Sequence, residues 1–241
     1  MDYTDLLCRL GISSAHPGGF GATLKLLEKG RLTAGQHVLE VGCGTGATAC
    51  HLARQGLRVT ALDKHPRMLE KARERAEAEN APGIRFVEGS VAALPFADAS
   101  FDVVLAESVT LFADLPAALK EYHRVLKPNG KLLDRELVLG RPMPAEMEAE
   151  IWSFFNLGKI HTIDEWLEEL QRAGFDCERP EPEPFAAESA GAFEDGVLAG
   201  LDLAALLDPE ISGCLIRYAG LMLAQQKHFL ACDFVAVKRP A

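Results

Sequence analysis

The stretch His37–Ala49, HVLEVGCGTGATA, constrains this chain more than any other. Val38–Val41 is a short apolar run that reads as a buried strand. Glycines follow at 42, 44 and 46, and Ala47–Arg54 reads as a helix. A glycine turn between strand and helix lets backbone approach a ligand closely, because no Cβ intervenes. It also aims the free N–H groups of the helix start at that ligand. The chain is therefore expected to be an α/β protein built around a nucleotide-like site.

Two readings of this turn differ in cofactor. Gly42-x-Gly44-x-x-Ala47, with an acid downstream at Asp63, satisfies the dinucleotide pattern and admits an NAD(P)-dependent oxidoreductase. The whole stretch also resembles motif I of the class I S-adenosylmethionine-dependent methyltransferases, E/D-x-G-x-G-x-G, with Glu40 at the position of the family's acid. The resemblance implies that Glu40 supports the turn and the methionine end of the cofactor. A buried strand carboxylate is costly without a partner; the plainer alternative is an edge-strand glutamate facing water.

Later segments separate the two readings. IRFVEGSVAALPFADASFDVVLAES and EYHRVLKPNGKLL resemble the third-to-fifth-strand region of UbiE-like small-molecule methyltransferases, which carry a methyltransferase type 11 domain. The resemblance runs closely over Leu32–Val138. A nicotinamide fold has no reason to carry the LPF-x-x-x-x-FD spacing. A Tyr-x-x-x-Lys hydride-transfer pair is also missing, since Tyr3, Tyr122 and Tyr218 have no lysine four residues on.

Expected elements follow from hydrophobic period and turn residues. They are helices over Tyr3–Leu10 and Gly21–Lys29, then strands Leu57–Leu62, Ile84–Glu88, Phe101–Ala106 and Lys131–Val138. Helices Pro66–Asn80 and Leu115–Leu126 lie between the strands. Beyond Val138 come helices Ala145–Phe155 and Thr162–Ala173, strand Phe175–Arg179 and a Glu/Pro linker over Pro180–Pro184. Helical stretches at Ala192–Leu207 and Pro209–Lys227 precede a last strand, Ala231–Lys238. Alternating strand and helix imply a doubly wound, mostly parallel sheet. The family fold implies seven strands, an antiparallel last strand beside the fifth, and helical cap insertions. We expect residues 1–31 to form a helical lid, 32–139 the cofactor-binding core, and 140–241 the remaining strands with a substrate cap, all in one structural unit.

Composition excludes several partners. A net charge of −10 with no local basic patch argues against wrapping nucleic acid. No apolar run is long enough to span a bilayer, and the start MDYTDLLCRL lacks a basic-then-apolar signal pattern, so a cytoplasmic location is expected. Six scattered cysteines contain no C-x-x-C, so no metal site is expected.

Several residues are candidates for the site. Asp63, at a strand's C-terminal end, can accept hydrogen bonds from both ribose hydroxyls, or cap the next helix. Lys64 and Met68 are expected beside ribose and adenine. Ser90 stands where many relatives carry Asp or Glu for the adenine amino group, with Val91 next to it; a plain turn serine is the alternative. Cys43 lies inside the glycine turn as a small side chain. Glu107 ends the fourth strand, where it could meet the cofactor ammonium or the substrate, or simply be a surface acid. The AESVTLF segment there lacks the Asn/Asp-Pro-Pro-aromatic motif of enzymes that methylate amino groups of nucleic acids. His16, in the loop SAHPGGF, and Glu107 are candidate general bases. Asp134, Arg135 and Glu136 are unusual in a buried parallel strand, and either pair with each other or clamp substrate. Tyr122, His123 and Arg124 are expected to be scaffold, and Trp152, Phe154, Phe155 and His161 to be cap lining or core.

The expected function is transfer of a methyl group from S-adenosylmethionine to a small organic acceptor by in-line displacement, leaving S-adenosylhomocysteine. A non-catalytic S-adenosylmethionine-binding regulator is the other alternative.

Overall fold

The computed structural model describes residues 3–185 and 202–240. Two helices open the chain, α1 (Tyr3–Leu10) and α2 (Gly19–Gly30). Strand β1 (His37–Val41) then begins an alternation of β2 (Arg58–Asp63), β3 (Arg85–Glu88), β4 (Phe101–Glu107) and β5 (Leu126–Leu139) with helices α3 (Ala47–Arg54), α4 (Pro66–Ala78) and α5 (Leu115–Val125). Helices α6 (Ala145–Phe155) and α7 (Ile163–Arg172) follow, then β6 (Phe175–Cys177), β7 (Glu183–Pro184), α8 (Pro209–Gln225) and β8 (Phe229–Lys238).

The sheet runs β3-β2-β1-β4-β5-β8-β6. The first five strands are parallel, and β8 lies antiparallel between β5 and β6. The chain winds outward from β1 to β3, then restarts on the other side at β4. The order therefore reverses between β1 and β4, and a crevice opens at their C-terminal ends. Neighbouring residues on one strand feed opposite faces: Val38 packs with Leu26, Leu52 and Val103, while Leu39 packs with Val104, Leu119 and Tyr122. Helices cover both faces, so these strands are apolar at successive positions rather than at alternate ones.

Three expectations need correction. Residues Pro180–Pro184 are not wholly a linker. Glu183 and Pro184 pair with Ala231 and Leu230, adding an eighth, two-residue strand to the expected seven. Proline is tolerated there because the pairing is at the sheet's margin. Strand β5 starts at Leu126 rather than Lys131, and its KPNG segment forms an irregularity opposite Phe101–Val103. Pro128 has no N–H to donate and Asn129 has φ +61°, so the ladder skips these residues instead of ending. The expected helix over 192–207 falls partly outside the described residues; within them, Leu203–Leu207 is a 3-10 turn capped by Asp202. Helix α7 carries a capping box, with Thr162 Oγ1 accepting from the Glu165 N–H and Glu165 accepting from the Thr162 N–H.

The charged run in β5 is the most informative departure. Strand alternation puts Asp134 and Glu136 on one face and Arg135 on the other, so they do not form the mutual ion pair considered from sequence. Arg135, 2% exposed, instead joins three other segments. Its Nε donates to the Pro17 carbonyl (2.6 Å), one terminal nitrogen to Glu183 (2.9 Å), and the other to Asp233. Asp134 and Glu136 are fully buried beneath the 108–112 turn. Thr110 Oγ1 donates to Asp134 (2.8 Å), and Glu136 accepts from the N–H groups of Val109 and Thr110. Burial pushes Asp134 up to about 7, with the Glu107 charge adding to the rise. Glu136 is raised well above the carboxylate range by burial and by Asp134. Among the described residues no helix is long and apolar enough to cross a membrane.

Candidate active site

A cleft of about 370 Å³ occupies the crevice at the ends of β1 and β4. The structure brings the expected cofactor and general-base residues to its wall: Glu40, Gly42, Cys43 and Gly44 from the first turn, Asp63, Lys64 and Met68 from the second. Ser90 and Val91 come from the third, Glu107 from the fourth, and His16 from the N-terminal loop. Tyr3 and Leu7 of α1 border the cleft as well.

The three glycines serve different ends, and all have positive φ. A Cβ on Gly42 would stand 2.3 Å from a Val109 methyl, and one on Gly46 would stand 2.9 Å from Ala72 Cβ of α4. Gly44 is different. A Cβ there meets nothing within 4 Å, so a side chain would project into open space beside the cleft. Its N–H donates to Asp63 Oδ2 (2.9 Å), while Asp63 Oδ1 accepts from the His65 N–H (2.8 Å). Asp63 thus ties the glycine turn to the end of β2. It is not the helix cap considered from sequence; His65 occupies that position and makes no side-chain cap bond. A carboxylate has about four acceptor sites, so two further hydrogen bonds remain open to Asp63.

Three carboxylates converge on this space. Glu40 is 5% exposed and its Oε2 has no hydrogen-bond partner among the described residues. Burial, together with the charges of Glu107 and Asp63, raises Glu40 well above the ordinary carboxylate range. It is neither an edge residue nor facing water. Asp63 is raised by burial, partly offset by its two backbone N–H donors. Glu107, also nearly buried, is no surface acid: Thr23 Oγ1 donates to one oxygen (2.6 Å) and Thr48 Oγ1 to the other (3.2 Å). His16 Nε2 lies 3.3 Å from the same Glu107 oxygen that Thr23 reaches, and 3.1 Å from Thr23 Oγ1. The Thr23 hydroxyl hydrogen is committed to Glu107, so the His16–Thr23 bond is a donation from Nε2.

Cys43 fills its place as a small side chain. Burial and the nearby Glu40 and Asp63 push its thiol well up, which keeps it protonated and unreactive. Ser90 Oγ accepts from the Ala92 N–H (3.2 Å), so it does serve its turn. Thr23, Thr48 and Ser108 were not apparent from sequence, because each is an ordinary residue of a helix or turn with no motif around it.

A second, smaller chamber adjoins the cleft and shares Tyr3, Ala15, His16, Ser108 and Phe112 with it. Its other walls are aliphatic and aromatic, from Pro17, Leu111, β5, α6, α8, β8, Leu157, Ile160 and Phe185. Phe155 borders it, whereas Phe154 and Trp152 pack in the neighbouring apolar clusters and His161 faces Glu165 at the start of α7. Tyr3 stacks on Tyr218 (5.3 Å between centroids) and meets Phe155 edge-on (4.8 Å), which docks α1 over both spaces.

A buried, unpartnered carboxylate oxygen amid two further carboxylates fits a ligand that carries positive charge close to polar hydroxyls. S-adenosylmethionine has a sulfonium, an ammonium and a ribose diol. A nicotinamide dinucleotide would bring a pyrophosphate against the same three acids, which like-charge repulsion disfavours.

Comparison with known proteins agrees. A family profile described as a methyltransferase domain matches residues 39–133. The chain is 34% identical to the uncharacterized methyltransferase YodH of Bacillus subtilis, across 98% of this chain and 99% of that one. It is 31% identical to the 27-O-demethylrifamycin SV methyltransferase of Amycolatopsis mediterranei, over 74% of this chain and 72% of that one. Among solved structures, the [4+2]-cyclase SpnF superposes with a TM-score of 0.77 at 23% identity, covering 99% of this chain and 93% of that one; this shows a shared fold. The chain belongs to the class I S-adenosylmethionine-dependent methyltransferases, with a type 11 methyltransferase domain.

Proposed function

We propose that this methyltransferase acts on a small organic acceptor, with the carboxylate cleft holding the cofactor and the adjoining chamber facing the acceptor. The observation that carries this reading is the orphan oxygen of Glu40 beside Asp63 and Glu107. In it, Asp63 takes the ribose hydroxyls, Glu40 supports the turn and the methionine end, and Lys64, Met68, Ser90 and Val91 flank ribose and adenine. When bound, S-adenosylmethionine supplies an electrophilic methyl group, which the acceptor atom takes as the S–C bond breaks with its electrons moving to sulfur.

The protein's part is to align the acceptor, exclude water and, for an acceptor that must lose a proton, receive it. His16 is placed for that task. Its Nε2 faces Thr23 and Glu107 and its Nδ1 lies 3.4 Å from the Pro17 carbonyl, so a ring that has received the proton donates to oxygen from both nitrogens, with the Glu107 carboxylate balancing the charge. Residues 1–31 act as the lid, with Tyr3 and the His16 loop closing over both spaces.

Incubating the protein with methyl-labelled S-adenosylmethionine and a crude metabolite extract tests this reading. Label is expected in small organic products. Label confined to protein or nucleic acid would overturn the acceptor class. His16→Ala should slow product formation about a hundredfold or more, the usual weight of a general base, with cofactor affinity nearly intact. An unaltered rate would return His16 to a structural role.

A further inference from the structure

The chamber next to the cofactor cleft has a chemical character of its own. Leu137, Ile151, Ile160, Phe185, Met222 and Phe229 give it walls of hydrocarbon. Charge lies close by but is spent. Arg135 sits behind the Pro17 wall, fully engaged by Pro17, Glu183 and Asp233, and Lys29 closes on the second Asp233 oxygen. A charged ligand entering here would be desolvated with no counter-ion to meet it, at a cost that apolar contact does not repay.

Polar groups are concentrated at the junction that the two cavities share. His16 and Ser108 border both. Ser108 Oγ is buried and has no hydrogen-bond partner among the described residues. Its backbone is held at φ +54°, uncommon for a residue with a side chain, while its N–H donates to the Arg135 carbonyl (2.7 Å). The turn that carries it is pinned from below by Glu136. The backbone that carries the hydroxyl is therefore held at the junction, and the hydroxyl's own hydrogen-bonding capacity is left open.

We propose that Ser108 is the acceptor-anchoring residue, and that the chamber takes an uncharged molecule with a hydrocarbon body and one hydrogen-bonding group, presented to Ser108 Oγ beside His16. This rests on the methyltransferase reading above and narrows its acceptor class. The chamber holds about 50 Å³, so the hydrocarbon body enters it in part and lies across the junction, with its polar group at the mouth facing the cofactor cleft. An anionic group at the mouth meets the carboxylates of the cleft, and a cationic one finds Glu107 already engaged by Thr23, Thr48 and His16, so neither is held as an uncharged group is.

Three one-ring probes of matched shape test this: p-cresol, p-toluate and 4-methylbenzylammonium. Saturation-transfer NMR on the protein loaded with S-adenosylhomocysteine reads their binding without requiring turnover. Binding of p-cresol alone is expected. Ser108→Ala should weaken p-cresol about threefold to tenfold, the weight of one hydrogen bond, and leave S-adenosylhomocysteine affinity unchanged. Leu157→Arg, which puts an unpaired cation in the half-buried wall, should turn the preference toward p-toluate. Equal binding of an ionic probe, no binding of any probe, or a Ser108→Ala protein that holds p-cresol unchanged would each overturn the proposal. Failure to load S-adenosylhomocysteine at all would instead strike the cofactor reading, so the two failures are distinguishable.

Discussion

The cofactor cleft and the chamber beside it share five residues yet differ in almost every physical respect. The cleft is built from turns at strand ends, where Glu40, Asp63 and Glu107 converge and where, among the described residues, the buried oxygens Glu40 Oε2, Thr45 Oγ1 and Ser108 Oγ lack a partner. The chamber is built from the sides of helices and strands, and it presents carbon. Negative charge sits where a cationic ligand must be held, and is neutralised by Arg135 and Lys29 where it would repel or attract an acceptor. On the function proposed above, the protein separates holding the methyl donor, an electrostatic task, from orienting the recipient, a matter of shape and exclusion of water.

Several experiments would break or sharpen that contrast. The largest effect is expected from Gly44→Phe, whose ring would project beside the cleft at a position where no protein atom obstructs it. Cofactor binding should vanish by calorimetry while circular dichroism stays native, although φ +51° makes some loss of stability unavoidable. On the chamber side, Arg135→Met leaves Asp233 and the Pro17 carbonyl without their buried partner. Urea unfolding should show a loss on the order of 3–5 kcal/mol, the range for breaking a buried ion pair. A loss under about 1 kcal/mol, as for an exposed pair, would mean that Arg135 is not the hub described here.

Asp63→Ala should weaken S-adenosylmethionine binding by about 2 kcal/mol, the range for losing a charged hydrogen-bond partner. Unchanged affinity in a folded variant would strip Asp63 of its role. The smallest effect at neutral pH concerns Glu40. Burial and the charges of Glu107 and Asp63 raise its pKa, and a bound cation would lower it again, because positive charge favours the ionised form. Binding then releases a proton, so affinity should rise with pH, by at most about tenfold per unit, until Glu40 is ionised in the free protein. Glu40→Gln should flatten that slope. A slope of opposite sign would contradict the placement of the cation.

The contrast also marks what the sequence made legible. Glu40, Gly42, Gly44, Asp63 and Glu107 occupy strand ends and the turns after them, so a local pattern locates them once the parallel order is known. The chamber draws on Leu137, Phe155, Phe185, Met222 and Phe229, which lie far apart in the chain and are apolar for reasons any core residue would share. Period and propensity cannot distinguish a wall from a core. Ser108 and Thr23 matter through hydrogen bonds, one missing and one present, that no spacing announces. The β5 charges were visible as anomalous, but their partners Glu183 and Asp233 come from strands that only the antiparallel pairing brings alongside.

The most direct test of the electrostatic division is calorimetric titration of the purified protein with S-adenosylmethionine, S-adenosylhomocysteine and NADH in parallel. Micromolar binding of the sulfonium compound and its demethylated product, with none of NADH, is the expected result. Binding of NADH in place of the sulfonium pair would show that the cleft accepts a pyrophosphate beside its three carboxylates, and would contradict the assignment of charge on which this description rests.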